Sequence, residues 1–312
     1  MQFAVEAWAP EYGAPMEEAD SLASPQHPVL LDVEVPISQW APLPAGAASA
    51  APACVAFTDG VRRVDARVWV TTPTGTRLGL CASYAAGVVR ATVPEDGGPR
   101  RAEVVACRVG RGLFTGAAGA EAISARHTRF AVHIVDRDEP DRLSLALQQR
   151  MGELEVELAS EAGPADLVVV DGPLRGRQHV PNAIGYVKTH QVAYLPPSVE
   201  DVVGELVAGE RTPLFVTTSS WSRYSWYLRL PGASGHAWAG VVRGEASADL
   251  DVAEAVRLAN LSAACLPRFA SSAHKDPRAP QNLYPIAGLE RALRHRLGDP
   301  ALIYRSLRRS AA

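Results

Sequence analysis

Two carboxylates are set apart by their neighbours. Asp59 follows the apolar run 54–57 and precedes Gly60, while Asp171 follows Val168, Val169 and Val170 and precedes Gly172. In open α/β sheets, ligands gather outside the carboxyl ends of the strands, and an adjacent glycine lets backbone, metal or phosphate approach closely. A hard divalent cation takes oxygen ligands. Two or three carboxylates from different strands can hold Mg²⁺ or Mn²⁺ and leave positions for water and a phosphate oxygen. Such ions promote phosphodiester cleavage by activating water and stabilising the leaving oxygen. Asp-Gly is also the commonest hairpin-turn pair, so a turn reading stands beside the chemical one. At Asp171, the Pro173 that follows and the all-apolar approach fit a simple hairpin poorly.

A third carboxylate is sought on the helix that precedes Asp171. Leu147, Met151, Leu154 and Leu158 form a core stripe at about 100° per residue. Glu155 borders that stripe, Glu153 points mostly away and Glu157 flanks the other side. Glu155 is therefore the geometric choice and Glu153 its alternative; all three also read as solvent-facing helix charges. Lys188 is one of only two lysines, with Lys275, in an arginine-dominated chain. Within Gly185-Tyr186-Val187-Lys188-Thr189-His190 it can hold a scissile phosphate as a compact cation, or face solvent from a strand. His190 reads either as a metal or water ligand or as a structural histidine.

The elements that must position these groups follow from periodicity. Residues 1–50 form an N-terminal arm rich in Pro, Ala and acidic residues, with one alternating run at Val29, Leu31, Val33 and Val35 and a linker at 42–52. The folded domain then spans 51–312. A strand over 54–57 ends at Thr58-Asp59-Gly60, alternation at Val64, Ala66, Val68 and Val70 gives a second strand, and a turn at 73–75 leads to a third over 77–84. Residues 85–128 read as a Gly-rich, β-containing insertion, followed by a strand at 130–135. A helix opens at Asp141 as N-cap, runs along the leucine stripe and stops before Gly163-Pro164. Val168–Val170 reads as a central strand buried on both faces. Further strands are expected at 186–194 and 214–217, a hairpin at 225–230 and 237–242, and helices at 199–207, 250–264 and 289–309. The fold class is α/β: a mixed β-sheet flanked by helices, with a β-rich insertion and the N-terminal arm.

Composition limits the function classes. The 312 residues are 47% hydrophobic and 21% charged, which excludes a disordered, collagenous or coiled-coil chain. Apolar runs fall far short of the roughly 18 residues of a membrane span. The first residues lack a basic stretch leading into an apolar core, so a cytoplasmic location is expected. Cys54, Cys81, Cys107 and Cys265 show no zinc spacing and read as buried thiols. The net charge of −3 conceals an asymmetry: residues 286–312 carry six arginines against Glu290 and Asp299, leaving −7 on the rest. A basic end on an acidic body suits a nucleic-acid backbone or an acidic partner, and equally a solvated Arg-rich helix.

Four motifs in order resemble the NurA nuclease family: Thr58-Asp59-Gly60, the Leu/Glu-rich helix leading to Val170-Asp171-Gly172-Pro173-Leu174, Gly185-Tyr186-Val187-Lys188, and Gln281-Asn282-Leu283-Tyr284-Pro285. The likeness runs from about residue 53 to the C-terminus and leaves the arm uncovered. It implies an RNase H-like core, Mn²⁺- or Mg²⁺-dependent exonuclease and endonuclease activity on DNA, a homodimer, and partnership with the hexameric translocase HerA in DNA-end processing. By the same likeness Asp59 and Asp171 are metal-binding aspartates, with Glu155, or Glu153, as the helix ligand. Tyr284 matches the family's late tyrosine. The histidine expected about two turns after it is replaced by Arg291 and Ala292, so that role falls to His295, Glu290 or Arg291.

The mechanism this implies has Asp59, Glu155 and Asp171 ligating one or two ions, an activated water attacking phosphorus, and Lys188 offsetting phosphoryl charge, while Tyr284 and His295 position DNA or the leaving group. Changing Asp59 or Asp171 to Asn is expected to abolish cleavage and leave folding intact. The aromatic run Trp221, Tyr224, Trp226 and Tyr227 can stack bases or fill a core. A competing reading is a catalytically silent adaptor that binds DNA and a hexameric ATPase. A small-molecule phosphohydrolase is disfavoured by the lack of a GxxxxGK[ST] loop.

Overall fold

The computed structural model describes residues 29–44, 52–92, 101–126, 128–190, 194–218, 221–233 and 235–311. Most of the expected arm and linker, 1–28 and 45–50, lies outside the described residues. The chain divides into two compact units. The first comprises Met1–Phe57, Val89–Glu103 and Pro164–Ala287; the second comprises Thr58–Val88, Val104–Gly163 and Gly288–Ala312. The architecture is the expected mixed α/β class.

The first unit contains β1 (Val29–Leu30), β7 (Leu167–Asp171), β8 (Ala183–Val187), β9 (Phe215–Thr218), β10 (Ser222–Arg229) and β11 (Val241–Ser247), with α2 (Pro197–Glu205) and α3 (Val252–Cys265). The strand order is β1-β9-β10-β11-β8-β7, followed by the opening residues of β2 (Cys54–Thr72). β7 and β8 are parallel, pairing Val170 with Gly185 and Asp171 with Tyr186. Val168, Val169 and Val170 are buried, as an all-apolar central strand requires. α3 is capped by Asp251, whose carboxylate accepts from the Glu254 amide at 2.7 Å, and its Leu258 and Ala259 join Val169, Trp226 and Ile184 in the core.

β1 is shorter than the alternation at 29–35 predicts. Pro36 lacks an amide donor, and the Ile37 amide donates instead to Asp32 Oδ1 at 2.7 Å, turning the chain away from the ladder. The segment is fixed by a buried guanidinium: Arg211 meets both Glu34 oxygens at 2.8 and 2.7 Å and Asn260 Oδ1 at 2.6 Å. The strand expected over 186–194 ends at Val187, with 191–193 outside the described residues. The expected hairpin begins earlier, at Ser222, and its second strand starts at Val241 because 235–240 form the turn, with Gly240 at φ 68°.

The second unit holds the remainder of β2, then β3 (Gly75–Thr92) as far as Val88, β4 (Arg101–Thr115) from Val104, β5 (Ile123–Ala125) and β6 (Thr128–Ile134), in the order β2-β3-β4-β6-β5. The turn foreseen at Asp59-Gly60 is absent: β2 runs through it without a break, and the first reversal is at Pro73-Thr74. The stretch 85–128 is β3's second half, β4 and β5. Its small residues Ala85, Ala86 and Gly87 hide the strand from a propensity reading, yet Ala85 and Ala86 are fully buried.

α1 (Pro140–Glu161) buries Leu143, Leu147, Leu154, Glu155 and Leu158, the leucine stripe read from sequence. Its N-cap is Glu139 rather than Asp141; Pro140 takes the first helical position, where no amide is needed, and Asp141 becomes a first-turn acid. The C-terminal stretch expected as one helix is two, α4 (Tyr284–Arg296) and α5 (Pro300–Ser310). Gly298 at φ 81° breaks it and Asp299 caps the second, accepting from the Leu302 amide at 2.9 Å. Ile303 and Leu307 of α5 pack on Cys81, Leu113, Ala125 and Phe130.

Candidate functional site

In the second unit Asp59 sits on β2 beside Gly60, whose amide donates to Asp59 Oδ1 at 2.8 Å. A Cβ at position 60 would collide with Glu155 Oε1 and stand 2.9 Å from the Cγ and Sδ of Met151. The missing side chain at Gly60 therefore makes room for the Glu155 carboxylate against the β2 backbone. Glu155 is 3% exposed on α1, and burying a carboxylate is expensive without compensation. Glu153, its alternative, is on the solvent side with its carboxylate on Arg150 at 2.8 Å, and Glu157 is engaged by Arg108 at 2.8 Å.

In the first unit Asp171 ends β7, and the chain leaves through Gly172 at φ 98°, a backbone that favours glycine. The Gly172 backbone pairs both ways with Tyr186, at 2.9 and 3.0 Å. Lys188, just past β8, buries its ammonium against Asp171 Oδ2 at 2.7 Å and Asn282 Oδ1 at 3.3 Å. The solvent-facing strand lysine does not describe it: its side chain is 2% exposed. Tyr284 is exposed, with its hydroxyl 2.7 Å from Ser272 Oγ and Lys275 over its ring at 5.6 Å. His295 lies in the second unit on the exposed side of α4, where Arg291 is exposed too and Glu290 accepts from Arg294 at 2.8 Å.

Sequence reading missed the groups that surround Lys188. Asn282, fully buried, lies in the late motif beside Tyr284, and Asp276 accepts from its amide at 2.6 Å. Burial would raise the Asp276 pKa, but hydrogen bonds from Asn282 and the Arg278 amide outweigh it and hold the carboxyl below its ordinary value. Also missed was Glu245, which receives Arg223 at 3.0 Å and Arg243 at 2.8 Å and accepts from the Leu174 amide at 3.1 Å, three residues after Asp171. Nothing in one sequence signals that two arginines and a glutamate on adjacent strands share a buried position.

His190 is structural. It packs between Tyr227 and Trp238, at 5.6 and 5.1 Å between ring centroids, and its Nε2 stands 2.9 Å from Val241 O, so that nitrogen carries the proton. Burial, with a smaller contribution from Arg243, lowers its pKa to about 4. The unfolded chain thus binds a proton there near pH 6.5 while the folded one resists until about 4, so stability falls as pH drops through that window. Urea unfolding from pH 7 to 4 is expected to lose about 3 kcal/mol from this group, and His190→Gln to flatten that part of the profile.

Tyr224, Trp226 and Tyr227 are buried core side chains, closed to base stacking, and Trp221 is half-buried. The cysteines are all free thiols, but only Cys81 and Cys265 are buried, where desolvation pushes each up to about 12; Cys54 and Cys107 are partly exposed. No helix among the described residues is long and apolar enough to cross a membrane.

A resident cation would be held by oxygens. Asp59 and Glu155 carry the donor chemistry of Mg²⁺ or Mn²⁺ rather than of zinc. Among the described residues no three His, Cys, Asp or Glu form a ready-made metal cluster.

No protein-family model matches the sequence, and no curated protein matches it. Among solved structures the chain is similar to the crystal structure of the NurA nuclease from Sulfolobus solfataricus. The match has 12% identity and a TM-score of 0.45, covering 83% of this chain and 84% of that one.

Proposed function

We propose that the protein is a divalent-metal-dependent DNA nuclease that hydrolyses phosphodiester bonds in DNA-end processing, working in the cytoplasm as a homodimer with a HerA-type hexameric translocase. The observation that carries the proposal is the setting of the carboxylates: Glu155 is buried in the space that Gly60, next in sequence to Asp59, leaves on β2, and Asp171 is keyed by the buried ammonium of Lys188. Charged side chains are rarely buried unless paired or functional. The four motifs shared with the NurA family supply the reaction class.

Asp59 and Glu155 in the second unit, and Asp171 in the first, are the carboxylates that the family likeness assigns to Mn²⁺ or Mg²⁺. The cation supplies Lewis-acid chemistry, lowering the pKa of water and neutralising phosphoryl charge. Lys188 fixes the Asp171 carboxylate in one orientation, so its oxygens need not reorganise when substrate arrives. Tyr284, exposed with its hydroxyl tied to Ser272, would touch a nucleotide, and His295 or a neighbouring arginine would meet the backbone. The exposed arginines of α4 and α5, Arg291, Arg305, Arg308 and Arg309 among them, suit the phosphate backbone.

The test is incubation with linear single- and double-stranded DNA in Mn²⁺, Mg²⁺ or EDTA, with and without a HerA-type ATPase. Cleavage requiring the ion is expected, with a loss of about a thousandfold in Asp59→Asn and Glu155→Gln. Gly60→Ala, which drives the Glu155 and Met151 side chains aside, is expected to lose about a hundredfold through misplacement and about 1–3 kcal/mol of stability through overpacking. Equal cleavage by the parent and Asp59→Asn would sink the assignment. Ion-independent DNA binding without any cleavage would favour the adaptor.

A further inference from the structure

The geometry points to Gln281 and Asn282, keyed by Asp276, as the positioning residues of Lys188. The two side chains take hold of the same lysine at both ends. Gln281 Nε2 donates to the Lys188 carbonyl at 2.9 Å, and Asn282 Oδ1 accepts from Lys188 Nζ at 3.3 Å. Neither grip is adjustable. The Gln281 carbonyl accepts from the Tyr186 hydroxyl at 2.7 Å, tying the dipeptide to β8 two residues before the lysine it holds. Asn282 is 0% exposed and could present either its oxygen or its NH₂ to the ammonium. Asp276 decides which: it accepts from Nδ2 at 2.6 Å, so the amide oxygen is the atom left facing Lys188. Asp276 is in turn fixed by the Arg278 amide at 2.8 Å.

The arrangement does a specific task. A lysine ammonium carries three donors on a flexible four-carbon stem, and a single carboxylate does not confine it to one rotamer. The Asn282 oxygen takes a second donor and Asp276 prevents the amide from flipping, so the charge stays against Asp171. Asp276, Asn282, Lys188 and Asp171 form one polar chain in which the last member is a residue of the proposed nuclease site. The inference deepens that reading for catalysis, but the holding of Lys188 is measurable without any activity.

With only two lysines in the chain, amine acetylation followed by peptide mass spectrometry reads Lys188 against Lys275, which is exposed and serves as the internal standard. In the parent, Lys188 is expected to react far more slowly than Lys275. Asn282→Leu, similar in size but without the oxygen, is expected to raise Lys188 labelling about tenfold with Lys275 unchanged. Asp276→Ala, at a partly exposed position, is expected to raise it several-fold, and Asp276→Asn, which can still accept from Nδ2, to restore near-parent protection. Should Asn282→Leu fail to fold, the Asp276 pair gives the same reading. Parent-like protection of Lys188 in folded Asn282→Leu or Asp276→Ala would overturn the inference, as would equal labelling in Asp276→Ala and Asp276→Asn. Protection that responds as expected in a protein with no nuclease activity would fail the functional reading alone.

Discussion

Glu245→Ala is expected to lower the unfolding free energy by about 4–5 kcal/mol, with most of the protein insoluble at 37 °C. Glu245 is 1% exposed, and it is the shared carboxylate of Arg223 and Arg243, both buried. Burial alone would lower the Arg243 pKa; the carboxylate and two tyrosines reverse that and keep the guanidinium firmly charged. The mutation takes a shared counter-charge from two desolvated cations and the acceptor from the Leu174 amide. The cations remain stacked on Tyr194, at 4.4 Å for Arg243 and 5.6 Å for Arg223, which is small compensation. Chemical denaturation of the parent, Glu245→Ala and the triple variant Arg223→Met/Glu245→Leu/Arg243→Met checks this. The triple variant should recover most of the loss, since an apolar trio of similar volume carries no uncompensated charge. A single variant within 1 kcal/mol of the parent would mean water reaches the cluster.

The second large effect falls on Asp171. From sequence alone, Asp171→Asn is a silent change for folding that removes only chemistry. The buried pair with Lys188 alters that expectation: the carboxylate is a counter-charge, at 2.7 Å, of an ammonium whose side chain is 2% exposed. Asp171→Asn should therefore abolish cleavage and also cost about 3 kcal/mol of stability, read from urea midpoints. Asp171→Asn/Lys188→Met should regain most of the stability and none of the activity. Asp59 is partly exposed on β2, where a carboxylate-to-amide change costs less stability than at the buried Asp171–Lys188 pair, so Asp59→Asn is the cleaner test of chemistry.

What sequence disclosed follows from the kind of signal each element sends. The α1 stripe and β7 were legible because a helical period and an all-apolar run each have one physical interpretation, and α1's packing separates Glu155 from Glu153 in the sense the stripe implied. Asp59-Gly60 misled because Asp-Gly signals a turn, whereas the glycine serves a helix side chain about 95 positions away. The small-residue half of β3 misled because alanine and glycine carry no strand preference when packing, rather than side-chain shape, selects the conformation. The pairing of Lys188 with Asp171 follows from the parallel β7–β8 register, which a sequence read one strand at a time does not contain. Asn282 was visible as a letter in a motif, but its burial and its grip on the lysine come from tertiary packing alone.

Arg211 makes the early chain harder to remove than its composition implies. Its guanidinium is 1% exposed, and both Glu34 oxygens close over it. Glu34 also accepts from the Leu214 amide at 2.9 Å, and Leu43 exchanges backbone hydrogen bonds with Arg211 at 2.8 and 2.9 Å. A tag or truncation that stops before residue 29 leaves this clasp whole. A cut past residue 44 strips a buried cation of its bidentate carboxylate, and any shortened version prepared for crystals or binding work has its natural starting point on the near side of Val29.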